Sequence, residues 1–196
     1  MVIKLAKNQR GSLLLELMIS SSIALIAIMV IGSVFISGQR IAKERTLDLL
    51  VLQSLMTTTS MMRADIQRAG FDGGHGQSVR LTGAVDTIAV SGSSMGFAYY
   101  HSKTGQYQHV KYTLDNGSLK ACERKQATLA SLTELTGCTH LLDPNILNVV
   151  SFAVTTTPLV TSSAENLFTH IYLEAELHDG RYNQSISMGI KQRNWR

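Results

Sequence analysis

Twenty consecutive uncharged residues, Leu17 to Ile36, near the start of a 196-residue chain limit its structure more than any other feature. As a helix they extend roughly 30 Å, the thickness of a bilayer's hydrocarbon core. A short cationic leader, Lys4, Lys7 and Arg10, precedes them and stops at Gly11. Ser12-Leu13-Leu14-Leu15 and a single carboxylate, Glu16, stand between that glycine and the run. A charge at this depth costs at least a few kcal/mol unless it is partnered, which marks Glu16 as a functional candidate.

Two ordinary explanations fall short. A secretory signal peptide has an apolar core of about 7–15 residues, shorter than this run. A plain membrane anchor explains the cytoplasmic leader cations but has no need of Glu16. The stretch Gly11-Ser12-Leu13-Leu14-Leu15-Glu16 resembles the class III signal of type IV pilins and pseudopilins, Gly-Phe-(Ser/Thr)-Leu-(Ile/Leu)-Glu, with Ser12 replacing the usual phenylalanine. The resemblance implies that a prepilin peptidase cuts between Gly11 and Ser12 on the cytoplasmic side and methylates the new amine on Ser12. It also implies that Glu16 pairs with the N-terminal ammonium of a neighbouring subunit. Neutralising two charges at low dielectric would favour a fixed axial stagger between subunits.

Without leader and membrane run, about 160 residues remain, the size of one domain. The formal charge is +4, and removing the three leader cations leaves only about +1. The basic balance is therefore no argument for nucleic acid as a partner. Both cysteines follow the apolar run, on the side that the leader sends outward, where disulfides persist. Cys122 and Cys138 enclose fifteen residues, and a staple across them is expected to contribute around 3 kcal/mol.

Helical periodicity continues past the run. Leu47, Val51, Leu55, Thr59, Met62, Ile66 and Ala69 recur every three or four residues and form one stripe. Gly70 follows as a C-cap, with Gly73, Gly74 and Gly76 ending the element. A helix from Leu13 to Ala69 would be about 85 Å long, with weak points at Gly32–Gly38 and at Thr57-Thr58-Thr59-Ser60. Strands are expected at Thr87–Val90, Gly96–Tyr100, Gln106–Leu114, Ser118–Cys122, Ile146–Val154, Phe168–His178 and Arg181–Ile190. Turning at Asn116-Gly117 puts Leu114 opposite Leu119 and Tyr112 opposite Ala121. Turning at Asp179-Gly180 puts Leu177 opposite Tyr182, Leu173 opposite Ile186 and Ile171 opposite Met188. Each register gives one apolar face, with Glu174, Glu176 and His178 on the solvated side.

Asp65-Ile66-Gln67-Arg68-Ala69-Gly70-Phe71 resembles the end of the first helix in PilW-type minor pilins, including the prepilin-peptidase-dependent B group. Met188-Gly189-Ile190-Lys191-Gln192-Arg193-Asn194 is similar to their closing strand. The expected fold is α+β and pilin-like, a long N-terminal helix, membrane-spanning in its first half, packed on an antiparallel β-sheet. Expected divisions are a cleaved leader over 1–11, a membrane and assembly helix over 12–37, its amphipathic continuation over 38–71 and a β-rich periplasmic domain over 72–196.

Other constellations are bland. Gly92-Ser93-Ser94-Met95-Gly96 matches the nucleophile-elbow pattern, but a strand follows the serine where that motif needs a helix. The six histidines, His75, His101, His109, His140, His170 and His178, lack metal-ligand spacing and are expected on the surface. Ser131-Leu132-Thr133-Glu134 has the form of a capping box. Lys191, Arg193, Trp195 and Arg196 read as a solvated tail. Ser20/Ala24 and Ser33/Ser37 are small-xxx-small pairs that permit close helix approach.

The resemblance implies a non-enzymatic minor pilin-like subunit that primes type IV pilus assembly, with adhesion, twitching motility or DNA uptake downstream. Alternatives are a J-type minor pseudopilin of type II secretion and a DNA-binding receptor pilin. A membrane-anchored hydrolase would need a triad around Ser94. Implied partners are prepilin peptidase, other minor pilins, the major pilin, the inner-membrane assembly platform and membrane lipid; no nucleic acid, cofactor or metal is expected. The implied location is a single pass through the bacterial inner membrane, N-terminus cytoplasmic and domain periplasmic, with later placement at the pilus tip.

Overall fold

The computed structural model describes residues 9–160 and 165–193, with side chains other than those of 9–12 and 165. The chain forms two compact units, one ending at Thr46 and the other beginning at Leu47. Helix α1, Gln9–Ile66, accounts for the described part of the first unit and opens the second. It runs unbroken through Gly32 and Gly38 and through the threonine cluster. There the hydroxyls turn back into the helix, Thr57 donating to Gln53 O at 2.9 Å and Thr59 to Leu55 O at 2.8 Å. Such back-bonding absorbs the polar groups that make these residues poor helix formers.

The second unit carries two antiparallel sheets where the sequence suggests one. The first is β1 (Ile88–Ser91), β2 (Ser94–His101), β3 (Gln106–Asp115), β4 (Ser118–Gln126) and β5 (Thr139–His140), in chain order. The second is β6 (Leu147–Val160), β7 (Glu165–Leu177) and β8 (Gln184–Lys191). The break has a local cause. β5 pairs with β4 over Lys120↔His140 and Ala121↔Thr139 only. A turn at Asp143-Pro144 then diverts the chain, with Leu147 N donating to Asp143 O at 2.9 Å. β6 regains the first sheet through Val149 N, which donates to the Gly117 carbonyl at 2.7 Å.

Registers follow the apolar patterning. Leu114↔Leu119 and Tyr112↔Ala121 are paired across Asn116-Gly117, whose φ of 48° and 71° make a tight mirror-type turn. Leu173↔Ile186 and Ile171↔Met188 are paired as expected, but that ladder closes at Ala175↔Gln184. The connection is wider than two residues, Tyr182 sits at φ 55°, and Leu177, two residues past the end of that ladder, donates to Arg181 O at 2.8 Å and is not paired with Tyr182. β6 runs to Val160, well past the expected Val154, and includes Pro158 opposite Leu167. Proline lacks a ladder donor and is tolerated here because β6 is an edge strand.

The main core lies where both sheets meet α1. Val51, Leu55, Met62, Ile66 and Ala69 are fully buried against Phe97, Tyr112, Leu119, Ile171 and Leu173. A smaller apolar layer covers the other side of the first sheet. It joins Val79, Leu81, Ala130 and Leu135 to Ala98 and Cys122.

Candidate functional site

In the first unit the functional feature is the helix surface. Every large apolar side chain from Leu13 to Ile36 is 51–70 % exposed, on all sides of α1. Three serine hydroxyls turn back into the helix, Ser21 and Ser22 on Met18 O at 3.0 and 2.7 Å and Ser33 on Val30 O at 2.8 Å. A helix apolar all round, with serines bonded back to its own carbonyls, suits a lipid or helix-bundle environment. By length and composition α1 can cross a membrane. Glu16 lies exposed near the start of this surface. Lys4, Lys7, Asn194, Trp195 and Arg196 lie outside the described residues, and so do the side chains of Arg10 and Ser12, while Gly11 is described by its helical backbone alone.

In the second unit polar groups converge on the end of α1. The last turn tightens, Arg68 N bonding Asp65 O at 2.9 Å and Ala69 N bonding Ile66 O at 3.0 Å. Gly70, at φ 79°, leaves the helix and donates to Ala98 O at 2.9 Å, and Tyr100 N donates to Phe71 O at 2.7 Å. The helix thus ends by adding its backbone to β2. Asp65 accepts from the Tyr112 hydroxyl at 2.6 Å and from Arg68 at 2.8 Å. Arg68 also donates to the Tyr99 hydroxyl at 3.3 Å and lies 5.5 Å from that ring's centre. Burial, then the Asp65 carboxylate, push the Tyr112 phenol far above its usual range, and burial raises Tyr99 as well. From the C-terminal end, buried Gln192 donates to Ala69 O at 3.3 Å and accepts from Thr87 at 2.6 Å. These residues locate helix, sheets and C-terminus on one another. In the sequence only the run Asp65 to Phe71 signals this junction; its partners Tyr99, Tyr112, Thr87 and Gln192 lie far along the chain and no local pattern marks them.

Cys122 and Cys138 are disulfide-bonded, stapling β4 to the segment that covers it. In that segment only half of the expected capping box forms. The Glu134 carboxylate accepts from Ser131 N at 3.1 Å, while the Ser131 hydroxyl meets Thr133 at 3.0 Å, and the result is a turn. Ser94 of the Gly-x-Ser-x-Gly match lies in β2 beside Thr113, at 2.7 Å, after a hairpin turn at Gly92-Ser93. His109 corrects the expectation of surface histidines, for it is fully buried. The covering layer closes over a face of β3 that strand alternation alone would leave to solvent. A surface cleft beside this layer is lined by Asp72, His75, Arg80, Tyr107 and Leu129. Asp72 shapes its loop by accepting from Gln77 N at 2.5 Å and Gly74 N at 2.8 Å, and these backbone donors, Gln77 foremost, hold its carboxyl below the usual range. Among the described residues no group of three or more His, Cys, Asp or Glu is placed to hold a metal.

A long apolar helix laid on antiparallel sheets defines a type IV pilin-like protein. A solved type IV-like pilin from Thermus thermophilus has this fold, with a TM-score of 0.55 over 74% of this chain and 97% of that one, at 12% identity. The chain belongs to the prepilin peptidase-dependent protein B family, whose model matches residues 45–192. No curated protein matches it.

Proposed function

We propose that this chain is a PilW-type minor pilin-like subunit that takes part in priming type IV pilus assembly, and is not an enzyme. The observation that carries this reading is the all-round exposure of the apolar helix from Leu13 to Ile36, with Glu16 at its start. On this reading the leader, residues 1–11, is removed by prepilin peptidase between Gly11 and Ser12, and Ser12 becomes the N-methylated terminus. Residues 12–37 hold the subunit in the inner membrane, residues 38–71 carry the helix into the head, and residues 72–196 lie in the periplasm. The helix then leaves the lipid for a bundle of other minor pilins on the assembly platform, which the major pilin extends. Adhesion, motility or DNA uptake would follow from the finished fibre.

Intact-mass analysis of the protein from cells with and without the peptidase tests the first step. A mature chain beginning at a methylated Ser12 only when the peptidase is present is the expected result. Crosslinking in membranes tests the second. Recovery with pilus minor pilins supports the reading, and recovery with the pseudopilins of a secretion system would replace it by the J-type alternative.

A further inference from the structure

The buried His109 ring lies between β4 and the segment 127–138, which covers the outer side of the first sheet. Its Nε2 lies 3.1 Å from the Ala130 amide, and its Nδ1 lies 3.2 Å from the Arg124 carbonyl. A backbone amide can only donate, so Nε2 accepts, and the ring's one proton is on Nδ1, donated to Arg124 O. This is the neutral imidazole. A second proton would have to go on Nε2, where it would face the Ala130 N–H.

We infer that His109 is an acid-operated latch on the segment 127–138, whose protonation releases that segment while Cys138 keeps it tethered to Cys122. The segment's other bonds do not titrate near neutrality. Thr82 N donates to Ala130 O at 2.9 Å, the Thr82 hydroxyl to Leu129 O at 3.0 Å, and Gln126 to Thr128 O at 2.9 Å. Burial, the largest influence on the ring, holds the imidazole below its ordinary value of 6.5. Arg124 of β4 opposes a second positive charge, and Lys111, two residues along β3, reaches Leu135 O at 3.5 Å. The segment's own carboxylate, Glu134, is engaged with Ser131 N. The Arg124 and Tyr107 carbonyls act the other way without outweighing burial. Release would uncover Val79, Leu81, Ala130 and Leu135, all buried at rest. It would also move Leu129 and Leu132, each a wall of a surface cleft. The protein would thus expose a new apolar surface in acid without unfolding.

The test is hydrogen exchange of the full chain in detergent micelles between pH 7 and 5, corrected for intrinsic rates. Amides of 128–135 should lose protection at least tenfold across this range while those of β3 and β4 keep theirs. His109→Gln retains an acceptor for Ala130 N but cannot titrate, and its segment should stay protected throughout. Unchanged protection in the wild type, equal loss in His109→Gln, or joint loss from β3 and β4 would each overturn the latch. Should His109→Gln not fold, the wild-type imidazole can be titrated by NMR. Its midpoint must then coincide with that of segment exchange, and separate midpoints would also overturn the proposal.

Discussion

Tyr112 shows what a single residue can hide. Its position in β3 and its pairing with Ala121 follow from alternation and an Asn-Gly turn. Its hydroxyl, fully buried, reaches across to Asp65 at 2.6 Å, a contact across 47 residues that no local pattern encodes. A hydrogen bond to a charged group contributes about 1.5–3 kcal/mol. Tyr112→Phe should therefore lower stability by about that much in urea titrations, without altering the denaturant slope. The phenol's raised value also sets a direction. Above pH 10 an unfolded chain loses this proton and the native chain does not, so stability falls as pH rises from there. Tyrosinate absorbance from Tyr112 should appear only together with unfolding. For His109 the sign is opposite. Its native value lies below 6.5, so between that value and 6.5 the unfolded chain binds the extra proton. Stability is fully present above 6.5 and declines as pH falls below it, and a denaturant midpoint that did not shift toward lower concentration by pH 5 would contradict this.

At the level of elements, legibility depended on how many sides of each element are covered. One face of α1 beyond Leu47 packs and the rest is solvated, so its stripe could be read directly, and five of its apolar members are fully buried. β7 alternates just as cleanly between buried odd and more exposed even positions. β3 does not, because Gln108 and His109 are both buried, one on each side; the covering segment arrives from beyond β4, where alternation carries no information about it. The division into two sheets is illegible for a similar reason. It depends on a two-residue β5 and a turn at Asp143-Pro144, too short to register as a change of layer. Leu55→Ala, at a fully buried point of the stripe, should cost about 2–5 kcal/mol by chemical denaturation. Removing the disulfide by Cys122→Ser with Cys138→Ser should cost about 2–5 kcal/mol. Its effect should begin locally, as faster proteolysis within 127–138 before any loss of the α1 core.

For the molecule as a whole, the two units ask for different surroundings. The second buries its own apolar stripe, whereas the first leaves its apolar surface open from Leu13 to Ile36 and carries one charge at its start. That carboxylate lies one helical turn after Ser12. Along a straight helix it cannot easily satisfy an amine at the end of its own chain. A neighbour shifted along the axis by about one turn, ~5–6 Å, would bring a free terminus beside it. Removing the carboxylate would leave that ammonium unpaired at low dielectric, a penalty of several kcal/mol before relaxation. Lipid makes no such demand on Glu16, since an apolar side chain there would insert at least as well. On the proposed minor-pilin reading, we therefore expect Glu16→Ala to leave membrane insertion and leader cleavage intact but to reduce crosslinking to other minor pilins and the number of surface filaments. Glu16→Asp keeps the charge on a shorter arm and should fall between the two. Wild-type recruitment and piliation by Glu16→Ala, in cells without a redundant copy, would show that the charge has no part in assembly and that apolar contact alone selects the neighbours.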